Sequence, residues 1–422
     1  MQTGLNILLA TVGSAGDVHP FVGLGVELKR RGHRVTLITS GAFESLARKA
    51  GLEFKAYLSA EEYHALIQDP RVWHRVDGFK TVMQQGMTPS LRPIYQAICE
   101  LHVPGRTVIA ASSLAFAAQA AHEKLGAPLA TIHLSPALFR SDFENPILPG
   151  LFLPNWLPAP LKRAQYWLVD RGMADRIMGP PLNEFRAELG LPPQRRFLRD
   201  GIHSPQRVIG LFPEWFAPRQ SDWPDQVVLT GFPRYDERDV SEPDGPWRQF
   251  LAEGEPPIVF TPGSAMVHGR EFFQAAIDAC QQLGRRGMLL TRYPEQLPPD
   301  LPPSVRHFDF VPLSVLLPLS AALVHHGGIG TLSQGLAAGI PQLIMPMSHD
   351  QPDNAHRLKR LGVGDALAPH RFRGPAVAAR LNQLLSSALV AERCRRISEK
   401  FHQDDVMERS CRLIEELAPQ AA

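Results

Sequence analysis

At 422 residues the chain is longer than one compact core holds, and it predicts two domains of roughly 200 residues each. Hydrophobic residues make up 44% and charged residues 20%, an ordinary globular composition that excludes a disordered chain. The 44 basic and 42 acidic side chains leave a net charge of +2, and their even spread excludes the concentrated basic footprint of a nucleic-acid binder.

The opening NILLATV, residues 6–12, is an unbroken apolar run that predicts a strand. GSAGD interrupts it, residues 18–31 carry apolar positions at helical spacing, and residues 33–39 are β-rich. Strand, glycine loop, helix and strand make a βαβ unit. Residues 107–112 (TVIAAS) predict another strand, followed by an alanine-rich helix to Leu125 and a strand at 128–133. Such alternation implies a parallel sheet covered by helices. The rhythm is lost over 135–181, where many prolines accompany Trp156 and Trp167, and this stretch is read as an insertion that shapes a pocket. A proline-rich, charged stretch at 233–257 is read as an interdomain linker. Alternation then restarts. Residues 258–264 (IVFTPGS) predict a strand entering a loop, 288–293 a strand, 321–331 (AALVHHGGIGT) a strand entering a glycine loop and helix, and 341–346 (PQLIMP) a buried strand. The expected class is α/β with two doubly wound, Rossmann-like domains at 1–232 and 258–395, the linker at 233–257 and a closing helical segment at 396–422. No short-period repeat is present.

The sharpest chemical feature is HHGGIGT at 325–331. Gly327, Gly328 and Gly330 let the backbone approach a phosphate closely, and a helix N-terminus offers unpaired N–H groups with partial positive charge. His325 is read as an added donor to a diphosphate. A plain tight turn explains an isolated glycine loop equally well, so its context decides. DQPDNA, residues 350–355, follows the 341–346 strand at the carboxyl edge where open α/β sheets bind ligands. Asp350 and Gln351 there suit the vicinal hydroxyls of a sugar ring, while Asp353 and Asn354 suit a helix cap. GSAGDVHP at 13–20 also joins strand to helix but lacks the G-x-G-x-x-G spacing of a dinucleotide site. Asp17 stands at the helix start, where the macrodipole keeps a carboxylate ionised. It is a candidate general base, against a bland alternative of simple N-capping. His19 is the competing base, and residues two apart do not share a helix face. His325 and His326 face the same limit and lack further ligands at metal-site spacing, so a metal-independent reaction is expected.

Cys99, Cys280, Cys394 and Cys411 fall at wide, unrelated spacings that fit neither a disulfide framework nor a zinc site. The N-terminus lacks the basic lead of a signal peptide, and no apolar run approaches the roughly 20 residues of a membrane helix. A cytoplasmic protein is expected, with any membrane contact peripheral and at the inner face.

Together, GSAGDVHPFVGLGVELKRRGH near the start and HHGGIGTLSQGLAAGIPQLIMPMSHDQPDNAHRLKRLGVG near the end resemble the nucleotide-sugar glycosyltransferase superfamily, which includes plant, sterol and antibiotic-decorating enzymes. HEKLGAP at 122–128 and LFPEWFAPRQSDWP…TGFP within 211–233 are similar to the rhamnosyltransferases of rhamnolipid synthesis. The resemblance implies a GT-B fold: an N-terminal domain for the acceptor, a C-terminal domain for the nucleotide sugar, a reaction cleft between them, and a C-terminal helix that crosses back. By motif position it makes Asp17 the base in place of the catalytic His of plant enzymes and leaves His19 one place outside. Ser112 or Ser113 replaces the Asp on which that His leans. It puts Phe310 where a Trp stacks on the nucleobase, Val311 where backbone groups read the base edge, and Ser264, His325, Gly330 and Thr331 around the diphosphate. Asp350 and Gln351 match the sugar-contacting pair. Leu313 stands where plant enzymes have Gln, and Ser333 where they have a ribose-binding Glu.

The implied reaction is inverting transfer of a hexose, rhamnose foremost, from dTDP-rhamnose or UDP-glucose to an apolar hydroxyl-bearing acceptor. Residues 139–161 would line a pocket for acyl chains or serve as core. A glucosyltransferase acting on a sterol, a nucleotide-sugar epimerase, and a non-catalytic auxiliary subunit remain rivals. A partner enzyme that supplies the acceptor stays open.

Overall fold

The computed structural model describes residues 4–74, 77–148, 151, 153–237, 245–402 and 405–418. The chain divides into two compact units, one formed by Met1–Pro233 with Asp405–Ala422 and the other by Arg234–Asp404.

The first unit holds seven strands: β1 (Asn6–Ala10), β2 (Arg34–Ser40), β3 (Glu53–Leu58), β4 (Thr107–Ser112), β5 (Leu129–His133), β6 (Arg207–Gly210) and β7 (Val227–Leu229). Their order is β3-β2-β1-β4-β5-β6-β7 and each pairing is parallel. β1 and β4 are mostly apolar and wholly buried, as strands covered on both faces must be. Leu8, Ala10, Ile38 and Ile109 pack with Leu91, Ile94 and Ile98 of the helix Thr88–Leu101 and with Ala117 and Ala121 of the helix Phe116–Leu125. The order of strands reverses between β1 and β4, which opens a crevice at their carboxyl ends.

The second unit repeats the plan with β8 (Ile258–Thr261), β9 (Gly287–Leu290), β10 (Val305–Phe308), β11 (Ala322–His325), β12 (Gln342–Ile344) and β13 (Gly364–Ala366). The order is β10-β9-β8-β11-β12-β13, again parallel, and the switch falls between β8 and β11. Phe260, Leu289, Val324 and Leu343 meet Phe272, Phe273 and Ala276 of the helix Arg270–Leu283 in its core.

Three stretches differ from the sequence reading. From Ala159 on, the stretch 135–181 is helical rather than irregular: Ala159–Val169, a π turn at Asp170–Ala174 and Asp175–Glu188 follow one another without a break. Pro180 and Pro181 lie inside the last of these, where one proline costs roughly 3 kcal/mol. Burial of Met178, Leu182 and Phe185 offsets that cost, which no local reading contains. The linker stretch is also partly structured. Pro246–Ala252 is a helix whose Trp247 and Phe250 pack with Val259 and Met288 of the second unit, while 238–244 lie outside the described residues. Finally, the closing segment is two helices. Ala388–Glu399 stays with the second unit and Val406–Glu415 joins the first. There Glu415 accepts bonds from Arg31 (2.6 Å) and pairs with His33 Nε2 (2.7 Å), and the Ser410 hydroxyl donates to Thr230 (2.9 Å). No helix among the described residues is long and apolar enough to cross a membrane.

Candidate active site

In the second unit, β8, β11 and β12 are neighbours with His325 opposite Thr261 and Ile344, so the loops that leave their carboxyl ends share one edge of the sheet. The β11 loop is short: Gly328 is the N-cap of the helix Ile329–Ala338. Gly327 has φ +97, and a Cβ there would come within 2.8 Å of Ile344 Cγ2, so only glycine fits on both counts. Gly330 differs. A Cβ would meet nothing within 4 Å, and its helical backbone asks for no glycine. The protein's own packing gives no reason for the missing side chain, and close approach of a ligand to the first turn does.

Asn354 ties this loop to the next. Its buried amide donates to the Gly327 carbonyl at 2.9 Å and to Asp350 Oδ2 at 2.8 Å. Asp350 occupies the N-cap position of the helix Gln351–Leu361, but its carboxylate makes no capping bond and takes the Asn354 amide instead. Gln351 Oε1 accepts from the N–H groups of Met347 (2.8 Å) and Ser348 (3.2 Å), which leaves its NH2 as the group to offer a ligand. Asp353 is buried and paired with Arg357 at 2.7 Å, an ion pair within the helix rather than the cap read from the sequence.

The two histidines have different surroundings. His325 ends β11, fully buried, with Nε2 3.0 Å from Gln342 Oε1 and Nδ1 accepting from the Gly327 N–H at 3.1 Å. This pattern fits the neutral Nε2–H tautomer, and burial pushes its pKa down to about 3, with His326 adding to the effect. Both nitrogens are spent inside the protein. His325 therefore shapes the glycine loop, with its ring N–H given to Gln342. His326 is the residue the sequence reading passed over. Its ring stands against two glycines, since a Cβ would lie 2.4 Å from Nε2 at Gly328 and 2.9 Å from Cε1 at Gly263. Its Nδ1 is enclosed without a hydrogen-bond partner, and burial lowers its pKa to about 4, so the ring is neutral at pH 7. The signal that could have found it is strand alternation: the residue after an inward last strand position leaves the core.

Around this loop, Thr331 is half-buried in the first helical turn and Ser264 is exposed in the β8 loop. Ser333 is buried and its hydroxyl donates to the Gly330 carbonyl at 2.8 Å. Phe310, just past β10, is 37% exposed with the Arg292 guanidinium 4.9 Å from its ring centroid. Val311 next to it is a core residue, packed with Leu316 and Leu317.

In the first unit, Asp17 follows β1 at the switch point. It is N3 of a capping box with Ser14: Oδ2 accepts from the Ser14 N–H (2.8 Å) and hydroxyl (3.1 Å). Gly13, at φ +141, makes room for that carboxylate, since a Cβ would lie 2.3 Å from Oδ2. The capping part weighed for Asp17 is thus filled, and it also orients the group. Ser112, at the end of β4, accepts the Val12 N–H at 3.3 Å and so steadies the loop that carries Asp17. His19 lies half-buried further along the same helix. Of the acyl-pocket stretch, Phe139 is core, stacked on Trp223 at 4.4 Å and on His203 at 5.4 Å, whereas Phe143, Trp156 and Leu161 are exposed. No group of three or more potential metal ligands occurs among the described residues.

Two parallel-sheet units, each with polar loops at its switch point, make the GT-B architecture. Residues 7–141 match the model of the glycosyltransferase family 28 N-terminal domain, and residues 290–410 that of the C-terminal domain of erythromycin biosynthesis protein CIII-like enzymes. The chain belongs to this glycosyltransferase family. It is 32% identical to O-mycaminosyltylonolide 6-deoxyallosyltransferase of Streptomyces fradiae, over 98% of each chain. Among solved structures, the glycosyltransferase of kitacinnamycin superposes with a TM-score of 0.77 at 21% identity, covering 99% of this chain and 100% of that one. Spinosyn rhamnosyltransferase SpnG complexed with thymidine diphosphate does so at 0.66 and 17%, over 97% and 100%. The protein is a transferase of sugars.

Proposed function

We propose that this glycosyltransferase moves a hexose, rhamnose in the first place, from a thymidine diphosphate donor to the hydroxyl of an apolar, lipid-like acceptor, with inversion and without a metal. The observation that carries the donor site is the Asn354 bridge, which joins the glycine loop for a diphosphate to Asp350 and Gln351 for a sugar. Thymidine diphosphate is favoured because the Ser333 hydroxyl is spent on Gly330 and offers no carboxylate to a ribose diol. The 6-deoxyallosyl donor group in the name of the Streptomyces relative and the rhamnosyl group with thymidine diphosphate in that of SpnG favour a 6-deoxyhexose.

In this mechanism the acceptor oxygen attacks the anomeric carbon from the face opposite the diphosphate while Asp17 takes the hydroxyl proton. The bond from that carbon to the diphosphate oxygen breaks with its electron pair. The departing charge falls on the N–H groups that open the helix Ile329–Ala338, with His326 as a neutral donor beside them. Ser264 and Thr331 add hydroxyls, Phe310 stacks on the base, and backbone groups at Val311 meet the base edge. His19 is the second candidate for the proton.

The test is turnover of dTDP-rhamnose and UDP-glucose in parallel, without acceptor and with a hydroxyacyl lipid or a sterol. Rhamnose transfer to the lipid is expected. Donor consumption without acceptor would overturn transfer, and glucose transfer to the sterol would overturn the choice of sugar and acceptor. Asp17→Asn should lower kcat by about 10²-fold or more while donor binding is kept, and unchanged turnover would pass the base role to His19. An acceptor like O-mycaminosyltylonolide is the second reading, favoured by the name of the Streptomyces relative.

A further inference from the structure

The helix Ala159–Val169 has its polarity reversed. Its buried residues are Lys162 and Tyr166, whereas Leu161, Trp167 and Leu168 are exposed. A surface helix of a water-soluble domain does the opposite. The reversal is held by polar bonds beneath the helix. Lys162, only 1% exposed, donates through Nζ to the carbonyls of Asp142 (2.7 Å), Phe143 (3.3 Å) and Asn155 (3.1 Å). The Tyr166 hydroxyl donates to Asn145 Oδ1 at 2.8 Å, and Arg140 grips Asp170 at 2.6 Å. These bonds draw the preceding loop onto the helix and bring Phe143 and Trp156, 59% and 75% exposed, alongside it.

The apolar surface is concentrated here. Seven of the twelve large apolar side chains exposed among the described residues fall between 143 and 173. Its charge has one sign: among the described residues of 139–180, every exposed charged side chain is an arginine, namely Arg163, Arg171 and Arg176. Asp170 is drawn inward onto Arg140, Asp142 pairs with the exposed Arg163, and Glu144 and Asp175 are half-buried, so Arg171 and Arg176 carry the outward charge. The Arg171 guanidinium lies over the Trp167 ring at 5.5 Å.

We propose that this surface docks on an anionic lipid bilayer. Tryptophan rings sit at the headgroup level and leucines below it. Arginine stems lie along apolar surface while their guanidinium groups meet lipid phosphates. The inference stands apart from the choice of sugar. It gives an apolar acceptor a phase from which to be taken.

The test is flotation of the full chain with vesicles of phosphatidylcholine alone and of phosphatidylcholine mixed with phosphatidylglycerol. Binding to the anionic vesicles at least about tenfold tighter than to the neutral ones, and weakened by salt, is expected. The variant Trp156→Ser, Trp167→Ser, Leu168→Ser should lose about tenfold or more of that affinity, and Arg171→Gln with Arg176→Gln about fivefold together with the salt dependence. The second variant leaves the apolar side chains in place, so it keeps the test valid should the first fail to fold. Absence of flotation, equal binding to both vesicles, or a dimer in lipid-free solution that the serine variant dissolves would each overturn the proposal.

Discussion

A parallel strand alternates its side chains between two faces until its last paired residue. His325 is that residue in β11 and turns inward onto Gln342, while His326 is the first outside and stands against Gly263 and Gly328. Opposite consequences are expected for the two. His326→Ala should lower kcat by about 10²-fold, as loss of one preorganised donor to a developing charge does, with the unfolding midpoint little changed. His325→Ala leaves Gln342 Oε1 and the Gly327 N–H without their His325 partner inside the core and should cost roughly 2–3 kcal/mol in urea unfolding. A His325 variant of full stability that abolished transfer would restore the direct-donor part to that residue. A histidine pair and a glycine loop are plain in the sequence. Which imidazole meets the diphosphate depends on where the strand stops, to within one residue.

At the scale of elements, the helix Ile329–Ala338 carries a glycine at its second position without a packing reason. Glycine costs a helix roughly 0.5–1 kcal/mol relative to alanine. Gly330→Ala should therefore raise stability by up to about that amount while weakening thymidine diphosphate binding, measured by calorimetric titration beside thermal melts. A variant both more stable and equally tight would show that no ligand approaches this turn. The run Ala159–Glu188 shows the reverse relation of local signal to outcome. Prolines and outward-facing Trp and Leu contradict a helix locally, and Lys162 and Tyr166 decide it through bonds to residues about 20 positions away. β3, with no fully buried residue, lacks the apolar run that makes β1 and β4 legible.

The two units share a liability to acid. Burial holds His203 in the first unit at about 4, with Arg140 adding to the effect, and holds His133 well below its ordinary value. In the second unit it holds His325 at about 3 and His326 at about 4. Each titrates near 6.5 when unfolded, so between about 6.5 and 4 the unfolded chain binds more protons than the folded one and stability falls as pH falls. The slope is at most about 1.4 kcal/mol per pH unit for each histidine. Paired carboxylates such as Glu53 and Glu415, held below their usual range first by Arg34 and by Arg31, add their loss only at lower pH. Melting temperature should therefore decline already between pH 6.5 and 4.5, and a flat profile across that window would contradict the buried neutral state of these rings.

The amino-acid sequence by itself determined that the chain is α/β in two halves, that a strand within 321–331 enters a glycine loop that opens a helix, and that polar residues follow the next strand. These rest on period and spacing, which are local and survive without a fold. Only the tertiary structure decided that His325 is spent inside, that Asn354 binds the two loops together, that Val406–Glu415 joins the first unit, and that Ala159–Val169 turns its apolar side outward. Each of these depends on contacts between residues distant along the chain, and burial sets their energies only after the sheets have formed.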